Sequence, residues 1–257
     1  MKRKLAAFMA MVMIACSLTS LSACKKETAK EPEKKESVSK STTSAVSKIS
    51  DVPTEKEKIV QLFDNAISYV DEFCYSYTKS KKNTVKDLNV GSLSSVSNSA
   101  DAFKSIFAQG ESRTEYNYSY SKENFNANFP KAGVKYEDVE NATATEKDGK
   151  IIVTLNLPSE SNPTHEKGRL QTYTRDFLSV EDIKSSLETF ASSAGSISVN
   201  VDSLKMVAVI RKMDSSLERL TISFTETFNL SDVKLVEIKG SNVSGKMVSE
   251  SVYTEIG

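Results

Sequence analysis

The run ISVNVDSLKMVAVIRKMDSSLERLTISFTETFNLSDVKLVEIKGSNVSGKMVSESVYTEI, residues 197–256, alternates apolar and polar side chains over most of its length. It divides into five β-rich segments: 197–201, 204–212, 217–228, 233–239 and 243–256. Turn residues part them, among them Asp202-Ser203, Asp214-Ser215, Asn229 to Asp232 and Gly240 to Asn242. Connections this short favour antiparallel neighbours. Upstream, Lys147-Asp148-Gly149-Lys150 joins two extended runs, and Asp-Gly supplies the two positive-φ residues of a tight hairpin. Ile151, Val153, Leu155 and Leu157 then form one face of the return strand. Between this hairpin and the β-rich run lies a polar excursion from Pro158 to Gly168.

Three helices are expected alongside these strands. Thr54 and Glu57 have capping-box spacing, and Ile59, Leu62, Phe63, Ala66, Ile67, Val70, Phe73, Cys74 and Tyr77 continue a three-four stripe for more than five turns. Residues 79–97 are polar and Ser-rich and read as a loop. A short helix over 99–109 turns Ala102, Phe103, Ile106 and Phe107 inward, with Gly110 to end it. Ser179 with Asp182 opens a third, whose stripe is Val180, Ile183, Leu187, Phe190, Ala191 and Ala194 and which Gly195 closes. The predicted architecture is one α+β domain over 54–257, a largely antiparallel sheet with two or three helices on one face.

The amino terminus carries an address. Lys2-Arg3-Lys4 precede an apolar run from Leu5 to about Ser20, too short to span a bilayer comfortably and built like a secretory signal. It closes on Leu21-Ser22-Ala23-Cys24, which resembles the lipobox of bacterial lipoproteins. Cys16, after Met13-Ile14-Ala15, fits less well because cleavage there would cut the apolar core short. The resemblance implies diacylation of the Cys24 thiol, cleavage between Ala23 and Cys24, and a mature protein held by its diacylglyceryl group on the extracytoplasmic face of the cell membrane. Each buried methylene contributes about 0.8 kcal/mol, so one acyl chain anchors marginally and two anchor stably. Residues 1–23 are then the signal peptide. Residues 24–53, rich in Lys, Glu, Ser and Thr and without an aromatic side chain, read as a disordered tether spanning on the order of 30 Å.

Composition excludes several kinds of chemistry. Loss of 1–23 removes three basic residues and no acid, leaving 31 basic against 34 acidic residues. The lysines of 34–35 and 79–82 alternate with Glu, Ser and Thr and form no aromatic-studded basic patch, so nucleic acid is not an expected partner. With Cys16 removed and Cys24 acylated, Cys74 has no thiol to pair with. It lies on the apolar stripe of the first helix, where a thiol is packing material. His165 is the one imidazole and stands in a polar loop without a Gly-x-Ser-x-Gly elbow. A His-based metal site and a conventional triad are therefore not expected, and no Gly-rich phosphate loop or calcium loop occurs. Neither a catalytic set nor a cofactor is assigned.

One constellation remains. Tyr116, Tyr118 and Tyr120 fall at alternate positions of an extended segment, and Phe125, Ala127 and Phe129 repeat the period. Such a face lines a ligand groove, docks a protein, or packs under a helix with its phenols at the rim. The leading expectation is a membrane-anchored, non-catalytic binding domain for an apolar ligand or an envelope protein. A carboxylate-based hydrolase, which needs two acids facing across a cleft, stays open, as does a structural component of the envelope. The lack of tryptophan weighs against a typical sugar-stacking platform.

Overall fold

A computed structural model describes residues 48–257 apart from 97, 108–110, 167, 190, 192 and 236–239. Ala23, Cys24 and all of the signal lie outside the described residues. In chain order the elements are α1 (Lys56–Phe73), β1 (Ser76–Asn89), α2 (Ser99–Phe107), β2 (Glu111–Asn117), α3 (Lys122–Asn128), β3 (Asn141–Lys147), β4 (Lys150–Leu157), the two-residue β5 (Glu160–Ser161), α4 (Leu170–Tyr173), α5 (Val180–Leu187), β6 (Ile197–Arg211), β7 (Leu217–Val233) and β8 (Ser241–Thr254). The strands form one sheet in the order β2-β1-β8-β7-β6-β4-β3, with β5 beside β6, and every pairing is antiparallel. The chain is thus an α+β protein with a single antiparallel sheet.

One row runs across all seven main strands: Thr114, Lys79, Tyr253, Leu220, Ala208, Val153 and Ala144. Strict alternation follows from it. On β4, β6 and β7 the residues of this row's face, such as Ile151, Val153, Met206, Ala208, Leu220 and Ile222, are buried. They pack with Ile59, Phe63, Ile67 and Val70 of α1, Phe103 and Phe107 of α2 and Ile183 of α5 in one core. The opposite face carries Val252, Thr221, Val207 and Thr154 in adjacent register, only partly buried and outside that core. Burial of one face and not the other fixes the register, because a one-residue slip would exchange the two.

The Asp148-Gly149 turn forms as expected, with φ of 53° and 71°. Ser179 and Asp182 close the predicted capping box at the start of α5. Other expectations are corrected. Residues 79–89, read as loop, belong to β1, which pairs with both β2 and β8. The stripe assigned to the first helix overruns its end: Cys74 is already extended and Tyr77 lies on β1. At the other end Thr54 caps nothing, since the N-cap is Glu55 without a side-chain cap bond. Ordered contacts begin upstream of Thr54, with Ile49 N donating to Lys212 O at 3.0 Å and Ile49 and Val52 packed on the core.

Residues 122–128 form a helix capped by Ser121 instead of a strand. A spacing of four, as from Phe125 to Phe129, puts both rings on one side in either conformation, so period alone does not separate them. Asp202-Ser203 and Asp232 mark irregularities inside long strands, not turns between short ones; Ser203 and Asp232 have positive φ where the β6 and β7 registers shift. Segments 197–201 and 204–212 are therefore one strand. Val233 ends β7, and 236–239 lie outside the described residues. α5 stops at Leu187, short of the expected Gly195.

Gly245 shows how tightly the core is filled. It faces Phe228 across β7 and β8, and an added Cβ would stand 2.6 Å from the ring's Cζ. The ring has no room to retreat, because Phe107 stacks on it at 3.7 Å between centroids. Gly245→Ala is expected to lower stability by about 1–3 kcal/mol, measured as a shift in the urea midpoint at unchanged slope.

Candidate functional site

β1 brings charge into the core. Its sequence, SYTKSKKNTVKDLN, sends Tyr77, Lys79, Lys81 and Asn83 toward the helix-covered face. Lys79 and Asn83 are buried there, and on β8 Lys79 stands beside Tyr253 while Lys81 and Asn83 stand beside the buried hydroxyls Ser251 and Ser249. The segment Thr174 to Leu178, between α4 and α5, lies across these strands like a strap. Asp176 is its fastening: Lys79 Nζ donates to the carboxylate at 2.9 Å, Ser251 Oγ at 2.6 Å, and Lys81 Nζ reaches the Asp176 carbonyl at 3.2 Å. Asn83 Oδ1 accepts from Ser249 Oγ at 2.9 Å. Among the described residues every buried side-chain nitrogen and oxygen has a partner.

The electrostatics follow from this geometry. Burial pushes the Asp176 carboxyl up, but Lys79, Lys81 and the Ser251 hydroxyl together outweigh it and hold it below its ordinary range. Burial likewise lowers the Lys79 ammonium, against the pull of Asp176. Removing the acid would strand two ammonium groups beneath the strap, a loss on the order of 3–5 kcal/mol for a buried pair.

Two residues further along, Leu178 N donates to both carboxylate oxygens of Glu226 on β7, at 3.1 and 3.2 Å. Glu226 is 1% exposed. Burial pushes its carboxyl up to about 8, with Asp182 adding to the rise and Lys81 and the Leu178 amide opposing it. Asp182 in turn accepts from Ser179 N at 2.8 Å and stands 2.7 Å from His165 Nε2, while the imidazole stacks on Phe177 at 4.6 Å. His165 thus leans on the strap, and the acid it meets is already the capping acid of α5. This is a positioning arrangement. Cys74 is buried at the end of α1 with its thiol pushed up to about 11 by burial, so it stays protonated. Among the described residues no group of three or more His, Cys, Asp or Glu is placed to hold a metal ion.

The three tyrosines separate. Tyr116 alone is on β2; Tyr118 follows the strand and Tyr120 stands in the turn before α3. Tyr116 stacks on buried Tyr77 at 4.9 Å, and Tyr77 also meets Phe125 and Phe129 and donates its hydroxyl to Phe125 O at 2.9 Å. Tyr118 meets Tyr75 and Phe125 edge-on and carries Lys122 Nζ 5.1 Å above its ring. It borders an open cleft of about 480 Å³ with Asp71, Lys122, Asn126 and Lys131. Tyr120 is fully outside. The void beside Tyr253, Phe129, Lys79 and Arg175 measures about 20 Å³, room for a single water. Aromatic side chains fill the space beneath the tyrosines.

Sequence reasoning missed Asp176, the burial of the carboxylate Glu226, and the inward lysines of β1, which it reads as solvated surface. The signal that could have found them is the period-two placement of Tyr77, Lys79, Lys81 and Asn83, which reads as a strand face if the lysines are allowed a buried acid. Comparison with protein-family models, with curated proteins and with solved structures found no match.

The raised Glu226 carboxyl ties stability to pH. Its folded value of about 8 lies above its ordinary 4.5, so the folded state holds a proton that the unfolded chain releases. The stabilisation is complete below about 4.5 and is lost as pH rises through about 8. Between those limits wild-type stability should fall by about 1.4 kcal/mol per pH unit more steeply than that of Glu226→Gln. Urea denaturation of both proteins at intervals from pH 5 to 9 reads the difference, and parallel pH profiles would refute the assignment.

Proposed function

We propose that the chain is a lipid-anchored extracytoplasmic protein whose domain is a non-catalytic binding module, engaging a protein partner of the cell envelope through its surface. The anchor reading is carried by Leu21-Ser22-Ala23-Cys24 behind a basic, then apolar leader. Among the described residues no helix is long and apolar enough to cross a membrane. The binding reading is carried by the filled interior: Phe107 on Phe228, and Tyr77 among Tyr116, Phe125, Phe129 and Tyr253, occupy the space an enclosed apolar ligand would need. The uncovered sheet face and the open cleft beside Tyr118 leave contact surface outside the core.

Acylation is tested at its sulfur. Cys24→Ser should move the protein from the membrane to the soluble fraction, and intact-mass analysis of the wild type should show a mature chain beginning at Cys24 with added diacylglyceryl. A serine variant still sedimenting with membranes would overturn the anchor. Native mass spectrometry of the mature protein from its own host should show the mass of the acylated chain with no stoichiometric small molecule. A uniform co-purifying apolar ligand would instead favour a carrier.

A further inference from the structure

The register row through Thr114, Lys79, Tyr253, Leu220, Ala208, Val153 and Ala144 gives the sheet a common origin for measuring its ends. Four or five residues beyond it, at one rim, stand Tyr118 after β2, Tyr75 before β1, Gly257 after β8, Met213 between β6 and β7, and Asp148-Gly149 between β3 and β4. Backbone bonds knit this rim together: Tyr118 N to Tyr75 O, Tyr75 N to Gly257 O, Lys212 N to Gly149 O, at 2.7, 2.8 and 3.1 Å.

Among the described residues five large apolar or aromatic side chains are exposed, and four gather here. Tyr120 is 90% exposed, Met213 74%, Tyr75 61% and Phe73, two residues before Tyr75, 41%. β1 and β6 are three strand spacings apart, about 14 Å, so the two ends of the patch are close enough to meet one surface. Such concentration at one rim is not what scattered surface residues give.

The same rim receives the chain from the amino terminus. Ile49 N is bonded to Lys212 O, next to Met213, and 24 residues, 25–48, lie between it and Cys24. We propose that this rim, through Tyr75, Tyr120 and Met213, rests in the headgroup layer of the membrane that holds Cys24. The proposal rests on the acylation argued above and adds an orientation to it.

The chemistry of the rim suits that occupant. Tyrosine at a membrane interface keeps its ring toward the acyl boundary and its hydroxyl in water, and methionine adapts its shape to lipid. Three of the acids near the rim are matched by neighbouring bases: Glu218 by Lys150 at 2.6 Å, Glu146 by Lys212 at 2.7 Å and Asp214 by Arg211 at 3.3 Å. Lys122, over the Tyr118 ring, adds a cation beside Tyr120.

The test uses the full acylated protein in phosphatidylcholine–phosphatidylglycerol vesicles. A bimane label is placed at Tyr120→Cys or, about 40 Å away at the far end of β7, at Asn229→Cys; buried Cys74 stays unlabelled. Brominated phosphatidylcholine should quench the label at 120 by about twofold more than the label at 229. Adding Tyr75→Ser and Met213→Ser should abolish that difference while the protein still sediments with the vesicles. Equal quenching at both positions would overturn the proposal. So would a difference that survives the two serines, since tether proximity alone would then explain it, and so would efficient photocrosslinking from position 120 to a protein instead of lipid. Sedimentation of the acylated chain and release of Cys24→Ser read the anchor separately, so loss of the orientation and loss of the anchor give different results.

Discussion

A single carboxylate, Asp176, lets a lysine-rich strand occupy an interior position in the sheet. β1 sends two lysines toward the core, which no apolar environment would tolerate unpaired. Asp176 accepts from one ammonium at its carboxylate, meets the other at both its carbonyl and its carboxylate, and accepts from the Ser251 hydroxyl. Through this contact β1 can lie between β2 and β8. Through it, too, the strap between α4 and α5 is fixed over the sheet, which places Leu178 on Glu226 and Phe177 under His165. The ionic pair gives position more than net stability, since burying charges costs nearly what their attraction returns.

The same contact explains where the sequence misleads. Apolar alternation on β4, β6 and β7 is legible because those strands bury hydrocarbon, and a face of Ile, Val, Leu and Phe declares itself. β1 buries Lys79 and Asn83 instead, and its partners lie 97 and 166 residues away, so no local window reveals that the charge is matched. The capping box of α5 and the Asp148-Gly149 turn are legible for the opposite reason: their chemistry closes within three or four residues. The tyrosine ladder fails because a spacing of two over five residues fits a strand that has already ended. Ser121, which caps α3 by accepting from Asn124 N, is the local feature that contradicts extension past Tyr120.

What the domain does is constrained by where its aromatic area went. Most of it is spent inside, on the ring cluster around Tyr77 and the stack of Phe107 on Phe228. Stacked and edge-on pairs of this kind add about 0.5–1.5 kcal/mol each beyond the area they bury. A carrier would keep such a volume empty and apolar. Here the strap closes over the polar part of the sheet and the helices close over the apolar part, which supports the proposed recognition at the exterior.

Attachment changes what an exterior surface needs in order to act. A soluble domain with four exposed apolar side chains would gain little from transient contact with lipid. A short linker, however, supplies a local concentration in the millimolar range. An intrinsic affinity near 1 mM, about 4 kcal/mol, is then enough to hold the rim against the bilayer for much of the time. On the proposed anchoring, adhesion at the rim beside Met213, where Ile49 bonds to Lys212, would carry the opposite ends of β7 and β8 outward. In the proposed orientation the uncovered sheet face would stand edge-on to the membrane, open to the envelope partner proposed above.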